Sequence, residues 1–546
     1  MATGECIIDW GRFSEWIHSF CIVTFDLELG QALELIYPPH VTLSERERTN
    51  ICYLAFPDSN SGCMGDTEYH VRLRCAPDGA PPNHLTPNHV NYNRHTTDAH
   101  RADPGHLWGF VYFRQTRAPH LPRGYFQKSF VLLSRLPFVS LFTRIAHHMA
   151  PMVFEATDSE VVLKEAASAV AKWPPLAQGP VVLPLLARKF SACIGDGDND
   201  TQDESCERIT SLHEPDTLHG LLSLLPHVQL LWELVLTGEP IVVMASSPAD
   251  SCHLVHCLIS MIAPLTYSGE ARPYFTIHDS EFREFTTKSN GAPGVILGVT
   301  NPFFSKTLQH WPHTIRLTDA HGPSGGATLP RVKSTGRLLE ATPGVYTHYR
   351  AHLQQERSLV RQVMGRTGRP MPIQSAMLKR HLLELTQSFM IPLERYMGSL
   401  MPLMRDVSPF GAPPTPHHFK QEDFLATLPQ AGPQLTTSLR GDWEGLYRRF
   451  FRSGNFRTWH EQRHTQLTHA LHALHLQALA SVDLSAWMVG KHEVEVVDMV
   501  LKLRHKIASC TDGDDGTRGQ LERHLRDIEQ RLPEDLRLLL KSNSPT

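Results

Sequence analysis

Four histidines, His464, His469, His472 and His475, fall within one helical stretch, and at about 100° per residue three of them share a face. Imidazoles so spaced can ligate zinc, but zinc sites on a helix draw further ligands from a second element, and the sequence offers none. A polar, histidine-rich helix face is expected there. Asp196, Asp198, Asp200 and Glu207 match the 1, 3, 5 and 12 spacing of a calcium loop. Thr201 stands where the sharp turn needs glycine, and no paired amphipathic helices flank the segment, so a solvated acidic linker is expected and no metal. Arg448, Arg449 and Arg452 carry the charge an anion would seek, although such a run on a helix is ordinarily a solvated face.

Phosphate and hydrolytic chemistry find no better footing. The loop VVMASSPAD at 242–250 has neither Gly-x-Gly-x-x-Gly nor Gly-Lys-Ser/Thr, the backbone cradles of dinucleotides and nucleoside triphosphates. Gly-x-Ser-x-Gly and His-Glu-x-x-His are also missing. No acid–base, nucleophilic or metal centre is expected, and no cofactor. The chain of 546 residues, 41% hydrophobic and 20% charged, has a globular composition and is too long for one core. A formal charge of −4 gives no electrostatic reason to expect nucleic acid. Ten cysteines without a Cys-x-x-Cys pair fit a reducing cytosol. No apolar run approaching the roughly 20 residues of a bilayer span is read, and Asp9 and Arg12 interrupt any secretory h-region, so no transmembrane segment is expected.

The elements that would position functional residues follow from periodicity. Strands are predicted at 17–26 and 31–37 as a hairpin, then a helix from Ser44 whose Ser-x-x-Glu spacing to Glu47 makes a capping box. Strands at 68–74, 107–113 and 126–133 follow, with 76–106 as a long surface loop, then helices at 137–149 and 158–172 that can cover one face. From 228 the pattern becomes mostly parallel α/β, with strands at 240–245, 273–277, 294–299 and 313–317. Ser247, Asp279 and Asn301 follow successive strands and should gather at the sheet edge where ligands bind; taken singly, each reads more readily as a helix cap. From about 347 the chain turns helical, and Pro392 should kink or end the first helix.

Several segments resemble the DENN domain-containing family, subfamily six. They are CIVTFDLELGQALELIYP at 21–38, FPDSNSGCMGDT at 56–67, GYFQKSFVLLSRLPF at 124–138, RPYFTIHDSEFREFTT at 272–287, GVTNPFFSKTLQHWPH at 298–313 and RRFFRSGNF at 448–456. The likeness runs from about residue 12 to 508 and leaves the acidic 193–207 and His-rich 84–106 stretches unaligned. The organisation then expected is an upstream, longin-like α/β lobe at 12–173, an acidic linker at 174–219, and a core DENN lobe with a mostly parallel sheet at 220–346. A downstream helical module at 347–510 and a helical tail at 511–546 complete it.

The resemblance implies a guanine nucleotide exchange factor that grips a Rab GTPase between its lobes, cytoplasmic and recruited to recycling endosomes. Phe25, Asp26, Asp279, Asn301, Phe303, Phe304 and Lys306 are the residues expected at the Rab switch regions. The aromatic pair is the expected anchor, because aromatics dominate interface hot spots. Phe303 and Phe304 are as readily core residues of a short helix. Two other activities stay open. One is a folliculin-like GTPase-activating protein, with Arg114, Arg272 or Arg283 as its arginine finger; the other is a non-catalytic Rab effector or trafficking scaffold.

Overall fold

Alternation along β1 (Ser19–Asp26) sends Phe20 and Ile22 to one face and Cys21 and Val23 to the other, and all four are buried. A sheet built on such a strand has to be covered on both sides. The structure, a computed structural model, describes residues 8–26, 28, 30–58, 64–75, 85–119, 124–195, 205–209, 211–212, 215–287, 292–317, 343–364, 369–403, 408–508 and 515–542. Asp196, Asp198, Asp200 and Thr201 lie outside them.

β1 joins β2 (Gly30–Tyr37), β3 (Gly65–Arg74), β4 (His106–Arg117) and β5 (Tyr125–Ser134) in an antiparallel sheet of order β2-β1-β5-β4-β3. One face packs on α1 (Trp10–Trp16), α4 (Val139–Glu155) and α5 (Ser159–Val170). The other packs on α2 (Glu45–Leu54), which opens with the predicted reciprocal cap between Ser44 and Glu47. Both faces are therefore covered, where one was expected.

Two further elements correct the sequence reading. Within the expected loop at 76–106 lies α3 (Pro87–His95), capped by Thr86 and pinned by its buried Tyr92. Within the expected linker at 174–219, β6 (Gly179–Leu185) and β7 (Arg188–Ile194) form a hairpin, with β8 (Glu207–Arg208) beside β7. Leu183, Leu185, Phe190 and Ile194 of the hairpin are buried in the same core as α4 and α5. The apolar side of the hairpin makes it part of that core rather than a solvated tether.

The second sheet contains β9 (Ile241–Met244), β10 (Glu270–Phe275), β11 (Val295–Val299), β12 (His313–Arg316) and β13 (Gly344–Thr347) in the order β10-β11-β9-β12-β13. The first four are parallel, as predicted, and β13 is antiparallel to β12. α8 (Pro248–Ser260) crosses from β9 to β10, and a Cβ on Gly298 would collide with Ser251 Oγ of α8 and with Pro273 O of β10. The stretch Thr217–Leu236, made of α6 (Thr217–Leu221), a 3-10 turn and α7 (Val228–Leu236), is long and apolar enough for a bilayer, which the sequence reading had missed. With 61% of it buried inside the protein, it reads as a core helix.

The chain divides into two units. Both large sheets belong to the unit of residues 1–387 and 437–456; residues 388–436 and 457–546 form the other. In the second unit, Leu479, Leu484, Val500, Leu503, Leu521 and Ile528 form a core among helices that include Glu493–Ala508 and Asp515–Arg531. His464, His469 and His472 are exposed, but His475 is buried: its Nε2–H donates to Ser408 O at 3.2 Å and its Nδ1 accepts from Lys506 Nζ at 2.9 Å. It is a satisfied core histidine and not part of a polar face. The helix Met371–Ser399 does not end at Pro392, where Phe389 and Leu393 anchor it in the core.

Candidate functional site

Parallel strands place the turns that follow them at one edge, and three such turns carry the residues singled out in the sequence. After β9, Ser247 caps α8: its Oγ accepts from Asp250 N at 3.1 Å, ahead of Pro248 in the first turn. After β10 and ahead of α9 (Phe282–Thr286), Asp279 accepts from Glu281 N at 2.9 Å and its own N–H bonds Thr276 O. It is buried, and burial raises its pKa. Asp279 shapes this turn from inside and presents no carboxylate to a partner. After β11, Asn301 Oδ1 accepts from Phe303 N at 2.9 Å, which turns the chain into α10 (Phe304–Thr307).

These turns are tied to the first sheet. Asn301 Nδ2 donates to Asp58 Oδ2 at 2.9 Å, and Asp58 N donates to the Tyr274 hydroxyl at 2.8 Å. Burial pushes the Tyr274 phenol's pKa well up, so it remains neutral and able to bridge. Asn50 of α2 exchanges two hydrogen bonds with Ser280, and Tyr53 stacks on His278 with 4.3 Å between ring centroids. Phe25 is half-buried against Phe56, two residues before Asp58, and Asp26 is exposed at the end of β1. The segment 56–58 thus links Phe25 to Asn301.

Of the aromatic pair, only Phe303 is available. It is 51% exposed, with its ring stacked on Phe282, and Lys306 is exposed one turn away. Phe304 is 1% exposed, packed among Phe275, Phe285 and Trp311. The core reading of Phe304 is the correct one. Beside α10 lies a hollow of about 220 Å³ walled by Met244, Phe304, Leu308 and Tyr346.

The arginines separate in the same way. Arg272 is 1% exposed, paired with Glu281 and, at 2.6 Å, with Glu270, while its Nη1 donates to Arg72 O at 2.7 Å. Arg114 is committed to Asp66 at 2.7 Å and Tyr112 at 3.2 Å. Arg283 alone of the three is exposed. Arg449 is exposed, as expected of a solvated face, and it also donates to Glu239 at 2.8 Å and lies 4.7 Å from the Tyr349 ring centroid. Among the described residues, no three His, Cys, Asp or Glu side chains converge as a metal site requires.

A family model described as the DENND6 C-terminal domain matches residues 484–543. Protein DENND6A of Gallus gallus is 45% identical over 567 residues, covering 99% of this chain and 96% of that protein. Protein DENND6B of Mus musculus is 47% identical over 520 residues, with coverage of 91% and 87%. The chain belongs to the DENND6 family. Protein DENND6B of Homo sapiens agrees, at 44% identity over 97% of this chain and 94% of its own length.

Within this DENND6 chain the sequence reading missed Asn50, Asp58, Tyr274 and Ser280. Asp58 and Tyr274 stand inside two of the quoted segments, FPDSNSGCMGDT and RPYFTIHDSEFREFTT, so the signal was present. Their roles were not readable, because each bonds a residue more than 200 positions away.

Proposed function

We propose that this chain is a guanine nucleotide exchange factor for a Rab GTPase, working from the cytoplasm at recycling-endosome membranes. In this reading residues 12–173 are a longin-like lobe, 220–346 the core DENN lobe, 347–510 the downstream module and 511–546 a helical tail. Membership of the DENND6 family supports it. The observation that carries it is the turn Asn301–Lys306: it holds an exposed aromatic and an exposed lysine on a short helix locked from beneath by Phe304 and from the side by Asp58. Preorganised anchors of this kind contribute binding energy at little entropic cost.

A GTPase holds its nucleotide through magnesium and a phosphate-binding loop, so an exchange factor acts by preferring the empty conformation. By linkage the nucleotide weakens the factor's grip equally. A thousandfold acceleration of release corresponds to about 4 kcal/mol of differential binding, within reach of Phe303 and a few polar neighbours. Phe25, Asp26, Asn301, Phe303 and Lys306 are assigned to the partner surface; Asp279 and Phe304 shape it from within.

The test is release of a fluorescent GDP analogue from a panel of purified Rab proteins, with catalytic amounts of the chain. Acceleration on one or a few of them is expected. Unchanged release on all, together with preferential binding to a GTP-loaded Rab, would replace this reading with an effector or scaffold.

A further inference from the structure

In the first unit, β3, the start of α4, α8 and residues 208–209, 211 and 215–216 wall a cavity of about 560 Å³. Its lining shares no residue with the turns after β9, β10 and β11. α4 has 17 residues and no side-chain cap; its Val139 and Ser140 N–H groups are taken by Pro137 O and Leu212 O, and the Ser140 and Thr143 side chains of its first turns line the cavity. Arg144 follows, 61% exposed, in an ion pair with Glu207 at 3.8 Å that is too long for a hydrogen bond. Arg208 also lines the cavity.

Two carboxylates also line the cavity, each with hydrogen-bond partners of its own. Glu68 bonds His147, and Asp216 accepts from His219 N at 3.3 Å and from Ser375 Oγ at 3.2 Å. Deeper in the wall, His70 is 6% exposed, and its Nε2 has no hydrogen-bond partner. A buried ring nitrogen left unpaired costs free energy unless something entering the cavity bonds it.

We propose that this cavity binds the phosphate group of a small molecule or lipid headgroup, held by Arg144, Arg208, the Ser140 and Thr143 hydroxyls and the N–H of His70. Guanidinium forks suit the several oxygens of a phosphate, and the volume exceeds that of a bare anion and falls in the range of small-molecule sites. A neutral His70, which burial favours by lowering its pKa, retains one N–H to donate.

Two probes separate the sources: inositol trisphosphate, followed by calorimetry, and phosphatidylcholine vesicles with and without a phosphatidylinositol phosphate, followed by co-sedimentation. The full chain is expected to bind at least one of them. Arg144→Glu, at an exposed position that leaves folding intact, should weaken that binding at least about tenfold. Ser140→Asp should do the same with an unchanged melting temperature. Binding of the trisphosphate with these losses assigns a soluble ligand; binding confined to phosphoinositide vesicles, with the same losses, assigns the headgroup. Absence of binding to both, or affinity within about twofold of wild type in Arg144→Glu, overturns the proposal.

Discussion

Phe303 and Phe304 are adjacent in sequence and opposite in consequence. Removing the Phe304 ring opens a void among Phe275, Phe285 and Trp311, so Phe304→Ala is expected to cost about 3–5 kcal/mol in chemical denaturation. Phe303→Ala should change stability by less than about 1 kcal/mol and slow GDP release in the proposed exchange reaction roughly 30-fold, the loss of one interface hot spot. Equal effects of the two substitutions on stability would contradict this division. Nothing in Asn-Pro-Phe-Phe separates the two rings beforehand: a four-residue helix is too short for a period to show which side faces the core. Asp279 misled for a related reason. A polar residue after a strand reads as an accessible ligand or cap, whereas here it satisfies backbone N–H from a buried position.

Legibility also differed among elements. Of the parallel strands, β9 and β11 could be read because each is a continuous apolar run preceded by Pro240 or Gly294, as strands buried on both faces tend to be. The β6–β7 hairpin escaped because Pro180 and Pro184 interrupt its pattern; β6 is an edge strand, where a missing N–H costs no ladder bond. α3 escaped because His89 occupies the capping-box position normally held by Glu or Gln. The helix Trp443–Phe450 was anticipated, but not its fastening to the second sheet, where Glu239 accepts from Arg449 and faces His313 Nε2 at 3.4 Å. Burial works to raise the Glu239 pKa, but His313 and Arg449 outweigh it and hold it at about 2. A carboxylate depressed below its unfolded value of about 4.3 stabilises fully above that pH, and its contribution is lost as pH falls through about 2. Glu239→Gln is therefore expected to cost on the order of 1–3 kcal/mol at neutral pH. The gap from wild type in urea midpoint should narrow steadily below about pH 4, and a gap independent of pH would exclude this role.

At the scale of the whole molecule, the chain leaves the first unit after residue 387 and returns to it for residues 437–456. Asn455 secures that return. Its Oδ1 accepts from Ser268 N at 2.8 Å and Ser268 Oγ at 3.0 Å, and its Nδ2 donates to Val235 O at 2.9 Å and Leu236 O at 3.0 Å. With 1% exposure, no water replaces these bonds if the amide is removed. Periodicity carries no trace of such a contact, since it reports which face of an element is apolar and not which distant segment fills the space beside it. Asn455→Ala removes the partner of two donors, Ser268 N–H and Oγ–H, and of Leu236 O, while Val235 O keeps Gly238 N–H, and a loss of roughly 2–4 kcal/mol is expected. Because the chain forms two units, a single unfolding midpoint would blur the effect. Amide hydrogen exchange resolves it: the helix Trp443–Phe450, whose Trp443, Leu446, Tyr447 and Phe450 are buried in the first unit, should lose protection. The helix Glu493–Ala508, built into the other unit's own core, should retain its protection. Equal loss in both helices would mean that Asn455 supports the two units alike, and that the returning segment is not fastened at this one residue.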